Sequence, residues 1–174
     1  GGSIRIPSAW CGIYGLKPTV GLVSGYGGFC LNESMPLFSV TGPMTRTVKD
    51  AALMLQIMAG HDERDQFTRR SASPDFVKGL NRPLGSLKIA WSHTVGSANV
   101  EPEILEITSK AATRFEELGC WVEDFTPAVS DMIEVWSTIC HTDLYAGYAK
   151  ELDNHADMLT PVLRAIMQKG KDTT

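Results

Sequence analysis

Residues 87–125 contain two short runs, Leu87-Lys88-Ile89-Ala90-Trp91 and Cys120-Trp121-Val122-Glu123-Asp124-Phe125, which have the length and apolar content of strands. Between them, residues 101–118 show helical spacing, and Gly119 is a typical residue for the end of a helix. One apolar face of that helix consists of Ile104, Ile107, Ala111, Phe115 and Leu118. A strand, a helix and a strand of these lengths predict two parallel strands with the helix packed across one face. The segment therefore predicts an α/β fold.

A helix is also predicted upstream of this segment. Thr47 has the character of an N-cap, and Asp50 stands three residues later as its capping-box partner. Apolar residues then recur at helical spacing as far as Ala59. Gly60 is a typical C′ residue, so we expect the helix to end there.

The rest of the chain divides into loops and two further helices. Downstream, the spacing predicts a helix over 131–152 and a shorter one over 161–169. Residues 1–46 are rich in glycine, proline and serine and predict loops and short strands. A polar connector follows the first predicted helix, and 61–86 is where the chain would divide into two parts.

The composition is that of an ordinary globular chain. Its 174 residues are 43% hydrophobic and 21% charged, with a net charge of −4, which suits one domain with a hydrophobic core. This charge gives no basic surface for nucleic acid or anionic lipid, and no apolar run approaches the ~20 residues of a membrane span. We therefore expect no nucleic-acid partner and no membrane partner.

The four cysteines are Cys11, Cys30, Cys120 and Cys140. Their spacing is not that of metal ligands, so no metal is expected. Cys11 and Cys120 lie in apolar segments and are predicted to be buried. Such cysteines suit a reducing cytoplasm, which is the expected location.

A serine follows two glycines in the first residues, Gly1-Gly2-Ser3-Ile4-Arg5-Ile6-Pro7. Two glycines permit a backbone bend that exposes the Ser3 hydroxyl, and they let main-chain N–H groups converge on an anion beside it. Acyl transfer needs a nucleophilic oxygen and donors for the oxyanion that forms. Taken alone, however, Gly-Gly-Ser is also common in plain flexible turns.

The continuation of this motif resembles the amidase signature family of serine amide hydrolases. Two further segments carry the resemblance: Trp10-Cys11-Gly12-Ile13-Tyr14-Gly15-Leu16-Lys17-Pro18-Thr19 and Gly42-Pro43-Met44-Thr45-Arg46. The close similarity covers roughly the first sixty residues, and a weaker pattern continues to the end. It implies part of the amidase signature fold, with a mixed β-sheet core flanked by helices, and no cofactor.

The resemblance also implies a triad of serine, cis-serine and lysine in which Ser3 is the nucleophile. Gly1 and Gly2 match the positions whose backbone N–H groups help to form the oxyanion hole. The bridging serine and the lysine base lie upstream of this motif in the family and have no counterpart here. We therefore expect 1–174 to be part of a single amidase domain, truncated on its N-terminal and also its C-terminal side, and inactive by itself.

Other residues near the motif could take part in substrate binding or catalysis, but the pattern supports these roles less strongly. Arg5 could contact a substrate carboxylate, but an ion pair with an upstream acid is the preferred interpretation. Lys17 could form a dyad with Ser3, although the family takes its base from elsewhere. Several apolar residues near the motif could line an acyl pocket, with the protein core as the preferred location: Trp10, Phe29, Met35, Leu37 and Phe38.

Histidines and carboxylates farther along do not form a recognisable site. The spacing of four such residues fits no compact metal site and predicts a solvated loop: His61, Asp62, Asp65 and His93. His141 and Asp143 are two positions apart in a predicted helix and do not share a face, which argues against a relay.

The expected function is hydrolysis of a small-molecule carboxylic amide to an acid and ammonia or an amine, through a serine acyl-enzyme. Two alternatives stay open: the A subunit of the glutamyl-tRNA(Gln) amidotransferase, and an inactive fragment. In the amidotransferase group an aspartate typically stands three residues before the glycine that is Gly42 here. This chain has Ser39 there, which favours a free-standing hydrolase. A homodimer also stays open.

Overall fold

A computed structural model of the chain describes residues 2–26, 39–96, 98–128 and 132–173. The described elements, in chain order, are α1 (Arg5–Cys11), β1 (Tyr14–Gly15), β2 (Met44–Thr45), α2 (Val48–Met58), α3 (Phe76–Gly79), β3 (Lys88–Trp91), α4 (Pro102–Glu117), β4 (Trp121–Asp124), α5 (Ile133–His155), a short 3-10 helix (Ala156–Met158) and α6 (Pro161–Thr173).

The chain forms two compact units. One contains Gly1–Asn81 with Val135–Thr174, and the other contains Arg82–Glu134. The first boundary falls within 61–86, where the sequence predicts a division. The second boundary lies near the start of α5, and no pattern in the sequence predicts it.

The unit Arg82–Glu134 confirms the predicted strand, helix and strand. β3 and β4 are parallel, with Lys88 opposite Trp121 and Trp91 opposite Asp124. The ladder continues past the strand ends, because the N–H of Phe125 donates to the carbonyl of Trp91 at 2.7 Å. Gly119 has a positive φ of 86° after α4, a backbone conformation that glycine adopts at low cost.

The apolar face predicted for α4 is not buried in this unit. Ile104, Ile107 and Leu118 are exposed, and the buried residue of the helix is Ala112. α4 is sixteen residues long, about 24 Å, whereas β3 and β4 form only a two-stranded sheet, with about 4.8 Å between neighbouring strands. α4 does pack against β4, as predicted, but two strands cannot cover the whole of its apolar face.

α2 begins and ends where the sequence predicts. The hydroxyl of Thr47 accepts a hydrogen bond from the N–H of Asp50 at 3.1 Å, and it donates to the Asp50 carboxylate at 2.8 Å. At the other end, Ala59 is extended and the N–H of Gly60 donates to Leu22 O at 3.1 Å. Gly60 directly follows the C-cap residue Ala59, so the helix ends where it was predicted to end, although the N–H of Gly60 pairs with a neighbouring loop.

α5 and α6 extend beyond their predicted ends, to His155 and Thr173. The predicted start of α5, at 131, lies outside the described residues. The two helices approach closely at Gly170, where a Cβ would collide with the carbonyl of His141. Met167, also on α6, is 1% exposed, so this helix contributes to the core of its unit.

Within residues 1–46, the structure contains a helix that the sequence did not predict. α1 covers Arg5–Cys11 and ends at Gly12, whose φ is 61°. Cys11, at the end of α1, is exposed, whereas Cys120 is buried. The prediction of a buried Cys11 is therefore wrong and that for Cys120 is confirmed; Cys30 lies outside the described residues.

Candidate active site

Ser3 lies in a turn that leads directly into α1. The N–H of Ile6 donates to the carbonyl of Gly2 at 2.8 Å and closes this turn. Ile4 is the N-cap residue and no side chain caps the helix, so the Ser3 hydroxyl is not used for capping. Ser3 is exposed, which is the accessibility that a nucleophile requires.

A small cavity of about 50 Å³ brings Ser3 together with two other segments. One wall is the turn itself, formed by Gly2, Ser3, Ile4 and Arg5. The other wall is formed by Lys17, Ser39 and Val40. Residues that are far apart in the sequence therefore meet at the predicted nucleophile.

Backbone contacts hold these segments together. β1 and β2 form an antiparallel pair, in which Gly15 lies opposite Met44, and the N–H of Leu16 donates to Pro43 O at 3.0 Å. A Cβ on Gly42 would collide with the carbonyl of Leu16 and lie 2.6 Å from Pro18 Cδ. The segment that carries Ser39 can lie this close only because residue 42 has no side chain.

α1 packs against β1 in a similar way. A Cβ on Gly15 would collide with the hydroxyl of Ser8, and Ser8 is buried in α1. The position of the Ser3 turn therefore follows from close packing of α1 on residues 14–18.

The two cations of the cavity have different surroundings. The Nζ of Lys17 donates to the carbonyl of Pro18 at 2.6 Å. A protonated amine has no lone pair with which to accept a proton from Ser3. Arg5 is exposed and, within the described part of the chain, makes no ion pair. Its predicted ion pair with an upstream acid stays a prediction.

The oxyanion donors can be placed in part. Gly2 is half-buried and lines the cavity beside Ser3. Gly1 lies outside the described residues. The assignment of both backbone N–H groups to the oxyanion stays a prediction.

Trp10 lies at the far end of α1 from Ser3. It is 88% exposed, so its preferred assignment to the core is wrong. With Ile6 and Ala9 it borders an open depression of about 400 Å³ that also touches Arg5. Four residues predicted with it lie outside the described ranges: Phe29, Met35, Leu37 and Phe38.

The loop after α2 is more ordered than a plain solvated loop. Thr68 is buried, and its hydroxyl lies 2.9 Å from His61 Nδ1. The hydrogen bond from the Arg64 side chain lowers the pKa of Asp62 from 3.8 to about 2. Sequence reasoning missed this folding, because the serial pattern of charges does not show that Thr68 is buried.

Hydrogen bonds to Asp65 connect the same loop to residues 24–25. Its carboxylate accepts hydrogen bonds from Gly25 N–H at 2.8 Å and from the Ser24 hydroxyl at 3.1 Å. Burial raises the pKa of Asp65, but the hydrogen bonds from Gly25, Phe67 and Ser24 outweigh it and hold this pKa below its ordinary value. Within the described ranges, no three His, Cys, Asp or Glu side chains form a group that could hold a metal ion.

Another serine, histidine and aspartate meet in the unit Arg82–Glu134. His93 Nε2 lies 3.4 Å from Asp124 Oδ1, and its Nδ1 lies 3.4 Å from Ser109 Oγ. These distances are at the long limit for hydrogen bonds, and the aspartate side chain is 81% exposed. We interpret the group as surface contacts, whose weak geometry does not activate a nucleophile. His141 and Asp143 lie on α5, where Asp143 is buried.

Comparison with known proteins shows to which family the chain belongs. The sequence model of the family named Amidase matches residues 1–173. The chain belongs to the amidase family. An acylamidase of Rhodococcus erythropolis is 39% identical over 153 residues, which cover 87% of this chain and 31% of that protein. In Marinobacter nauticus, the A subunit of the glutamyl-tRNA(Gln) amidotransferase is 44% identical over 124 residues, covering 71% of this chain and 25% of that protein.

Solved amidases share the fold. A bacterial aryl acylamidase of the amidase signature family superposes with a TM-score of 0.78 and 30% identity, covering 99% of this chain and 36% of that one. A peptide amidase in complex with chymostatin gives 0.67 and 27%, with the same coverages. The predicted α/β fold is confirmed. The amidase chain spans about a third of the length of these relatives, or less.

Within the described parts of the amidase chain, no helix is both long enough and apolar enough to cross a membrane.

Proposed function

We propose that this amidase chain supplies the nucleophile of an enzyme that hydrolyses a small carboxylic amide to an acid and ammonia or an amine. One observation carries the proposal: Ser3, exposed in its turn, lines a cavity within the region that matches the amidase family. The acylamidase and the aryl acylamidase support amides as the substrate class.

The reaction proceeds through an acyl-enzyme. Ser3 Oγ attacks the amide carbonyl while its proton passes through the bridging serine to the lysine base. The backbone N–H groups of Gly1 and Gly2 bind the oxyanion. The amine leaves with a proton returned from the lysine, and water then attacks the acyl-enzyme to release the acid and restore the Ser3 hydroxyl.

The bridging serine and the lysine come from another part of the same amidase domain, of which 1–174 is one part. The length of the relatives supports this, since they extend well beyond the matched region. The unit Arg82–Glu134 supports it as well. Parallel sheets occur almost only with both faces covered, yet Trp121 on β4 is 67% exposed.

The A subunit of the glutamyl-tRNA(Gln) amidotransferase is the second candidate, because one such protein is 44% identical to this chain. Ser39 argues against it, since that group typically has an aspartate at this position. Glutamine hydrolysis compared with hydrolysis of simple amides separates the two candidates. A cytoplasmic location is proposed too, supported by the free thiols of Cys11, Cys120 and Cys140; a homodimer stays open.

A serine-reactive fluorophosphonate tests the proposal in the complete protein. We expect the probe to label the wild type and Ser8→Ala but not Ser3→Ala, whose amidase activity should fall on the order of a thousandfold or more. Ser8 is the matched control, because it lies on the same turn-and-helix segment but is buried. Equal labelling of Ser3→Ala and wild type contradicts the assignment.

A further inference from the structure

Ile4 directly follows the nucleophile, and its side chain packs on two glycines. A Cβ added to Gly15 would lie 3.3 Å from Ile4 Cγ2, and a Cβ added to Gly42 would lie 3.0 Å from Ile4 Cδ1. Gly15 belongs to β1, and Gly42 precedes β2, which pairs with β1. Each branch of the isoleucine side chain therefore lies against a different glycine of this strand pair.

The main chain of Ile4 is held as well. Its carbonyl accepts a hydrogen bond from the N–H of Ser8 at 3.1 Å, and its φ of −96° and ψ of −51° are helical. Isoleucine is branched at Cβ, which restricts rotation about χ1. Contacts on both branches of such a stiff side chain therefore fix the orientation of residue 4 relative to β1 and β2.

The orientation of Ile4 limits that of Ser3, because one planar peptide unit joins them. Only the ψ of Ser3 and the φ of Ile4 can rotate between their two Cα atoms. On the other side of Ser3, the carbonyl of Gly2 accepts a hydrogen bond from the N–H of Ile6 at 2.8 Å. The chain is thus held on both sides of the nucleophile, whose oxygen must lie about 3–3.5 Å from the atom that it attacks.

We propose that Ile4 is a positioning residue for the acylation step, whose packing on Gly15 and Gly42 directs the Ser3 hydroxyl at the atom that it attacks. This inference rests on the proposed function. A serine that points elsewhere leaves the surfaces that bind the substrate in place. Loss of the Ile4 contacts should therefore slow the chemical step and leave binding nearly unchanged.

Saturation kinetics of fluorophosphonate labelling in the complete protein separate these two steps. The first-order rate constant at saturating probe reports the chemical step, and the probe concentration at half the maximal rate reports binding. Ile4→Ala removes both contacts and should lower the rate constant by about tenfold to a hundredfold, with less than about a twofold change in the half-saturating concentration. Ile4→Val keeps Cγ2 but loses Cδ1, so its rate constant should lie between those of Ile4→Ala and the wild type.

Leu55→Ala is the matched control for loss of packing. Leu55 is 4% exposed on α2 of the same unit, so its truncation leaves a cavity and destabilises the fold. A purely structural role for Ile4 predicts similar rate constants for Ile4→Ala and Leu55→Ala. A positioning role predicts that Leu55→Ala labels at the wild-type rate constant, at a temperature where circular dichroism shows every variant to be folded.

Three results overturn the inference: equal slowing in Ile4→Ala and Leu55→Ala, a wild-type rate constant in both Ile4 variants, or a change confined to the half-saturating concentration. If Ile4→Ala does not fold, Ile4→Val decides, and a wild-type rate constant in that variant overturns the inference. In all these cases, labelling of Ser3 in the wild type preserves the proposed function. A wild type in which Ser3 is not labelled overturns both.

Discussion

Around Ser3, two glycines allow close packing: Gly42 lies on the carbonyl of Leu16, and Gly15 lies on the side chain of Ser8. In the unit Arg82–Glu134, two parallel strands and one helix meet over a small area, and large apolar side chains such as Ile107 and Trp121 stay exposed. Close packing within this chain positions the first region, whereas the second has apolar surface still to cover. We infer that the nucleophile is positioned locally, while stability and the proton acceptor depend on the rest of the domain.

The largest expected effect is the loss of amidase activity when 1–174 is separated from the rest of its domain. A serine hydroxyl is a weak nucleophile at neutral pH and needs an adjacent base, and the Lys17 ammonium donates to Pro18 O instead. Purified 1–174 should therefore turn over amides at less than about one-thousandth of the rate of the complete protein. Aliphatic and aromatic amides assayed after a folding check provide the measurement. Turnover that disappears in Ser3→Ala would show that the chain carries its own base.

The next effect tests the backbone packing at the cavity. Gly42→Ala places a methyl group against a carbonyl that cannot move aside, so we expect the free energy of unfolding of the complete protein to fall by about 3 kcal/mol. Gly79→Ala is the matched control, since a Cβ there meets nothing within 4 Å and should be neutral or stabilising by up to about 1 kcal/mol. Chemical denaturation measures both. Equal stability of the two variants would show that residue 42 has room for a side chain and that the Ser3 region is not closely packed there.

A smaller effect tests whether the exposed face of α4 is covered in the complete protein. Ile107 is 59% exposed in this chain, and a surface substitution there should change stability by less than about 0.5 kcal/mol. If the rest of the domain covers it, Ile107→Gln should lower the free energy of unfolding by about 2 kcal/mol. Glu116→Gln, on the polar side of the same helix, should have little effect. No difference between the two variants would mean that this face stays in solvent.

The smallest effect concerns a buried hydroxyl. Ser8 is buried, and its Oγ has no hydrogen-bond partner within the described residues. Burial of an unsatisfied polar group costs free energy, so Ser8→Ala should raise the free energy of unfolding by up to about 1 kcal/mol. Thermal unfolding of the complete protein measures this change. A clear decrease in Tm would show that the hydroxyl has a partner in the complete domain.

Local patterns in the sequence predicted the elements better than their surroundings. The parallel strands and α2 follow from periodicity and from the Thr47 cap. The face of α4 and the exposure of Trp10 depend on what lies against those residues, which a periodic pattern does not report. α1 was missed because its glycine-rich start and Pro7 are typical of loops, whereas close packing on Gly15 favours the helix.

In the candidate site, too, the sequence predicted a local feature but not a contact between distant segments. The resemblance led to Ser3, and the structure shows it exposed beside Gly2. No local pattern could place Ser39 in the cavity of Ser3, because this contact depends on the pairing of β1 with β2 and on the small size of Gly42.

The central claim, that Ser3 is the acylated nucleophile, can be measured directly. The complete protein is mixed with an amide that it turns over, quenched in acid during steady state, digested and mapped by mass spectrometry. We predict an acyl group on the peptide that contains Ser3, bound to its side-chain oxygen and absent from Ser3→Ala. An acyl group on another residue, or turnover without acylation of Ser3, would contradict the account.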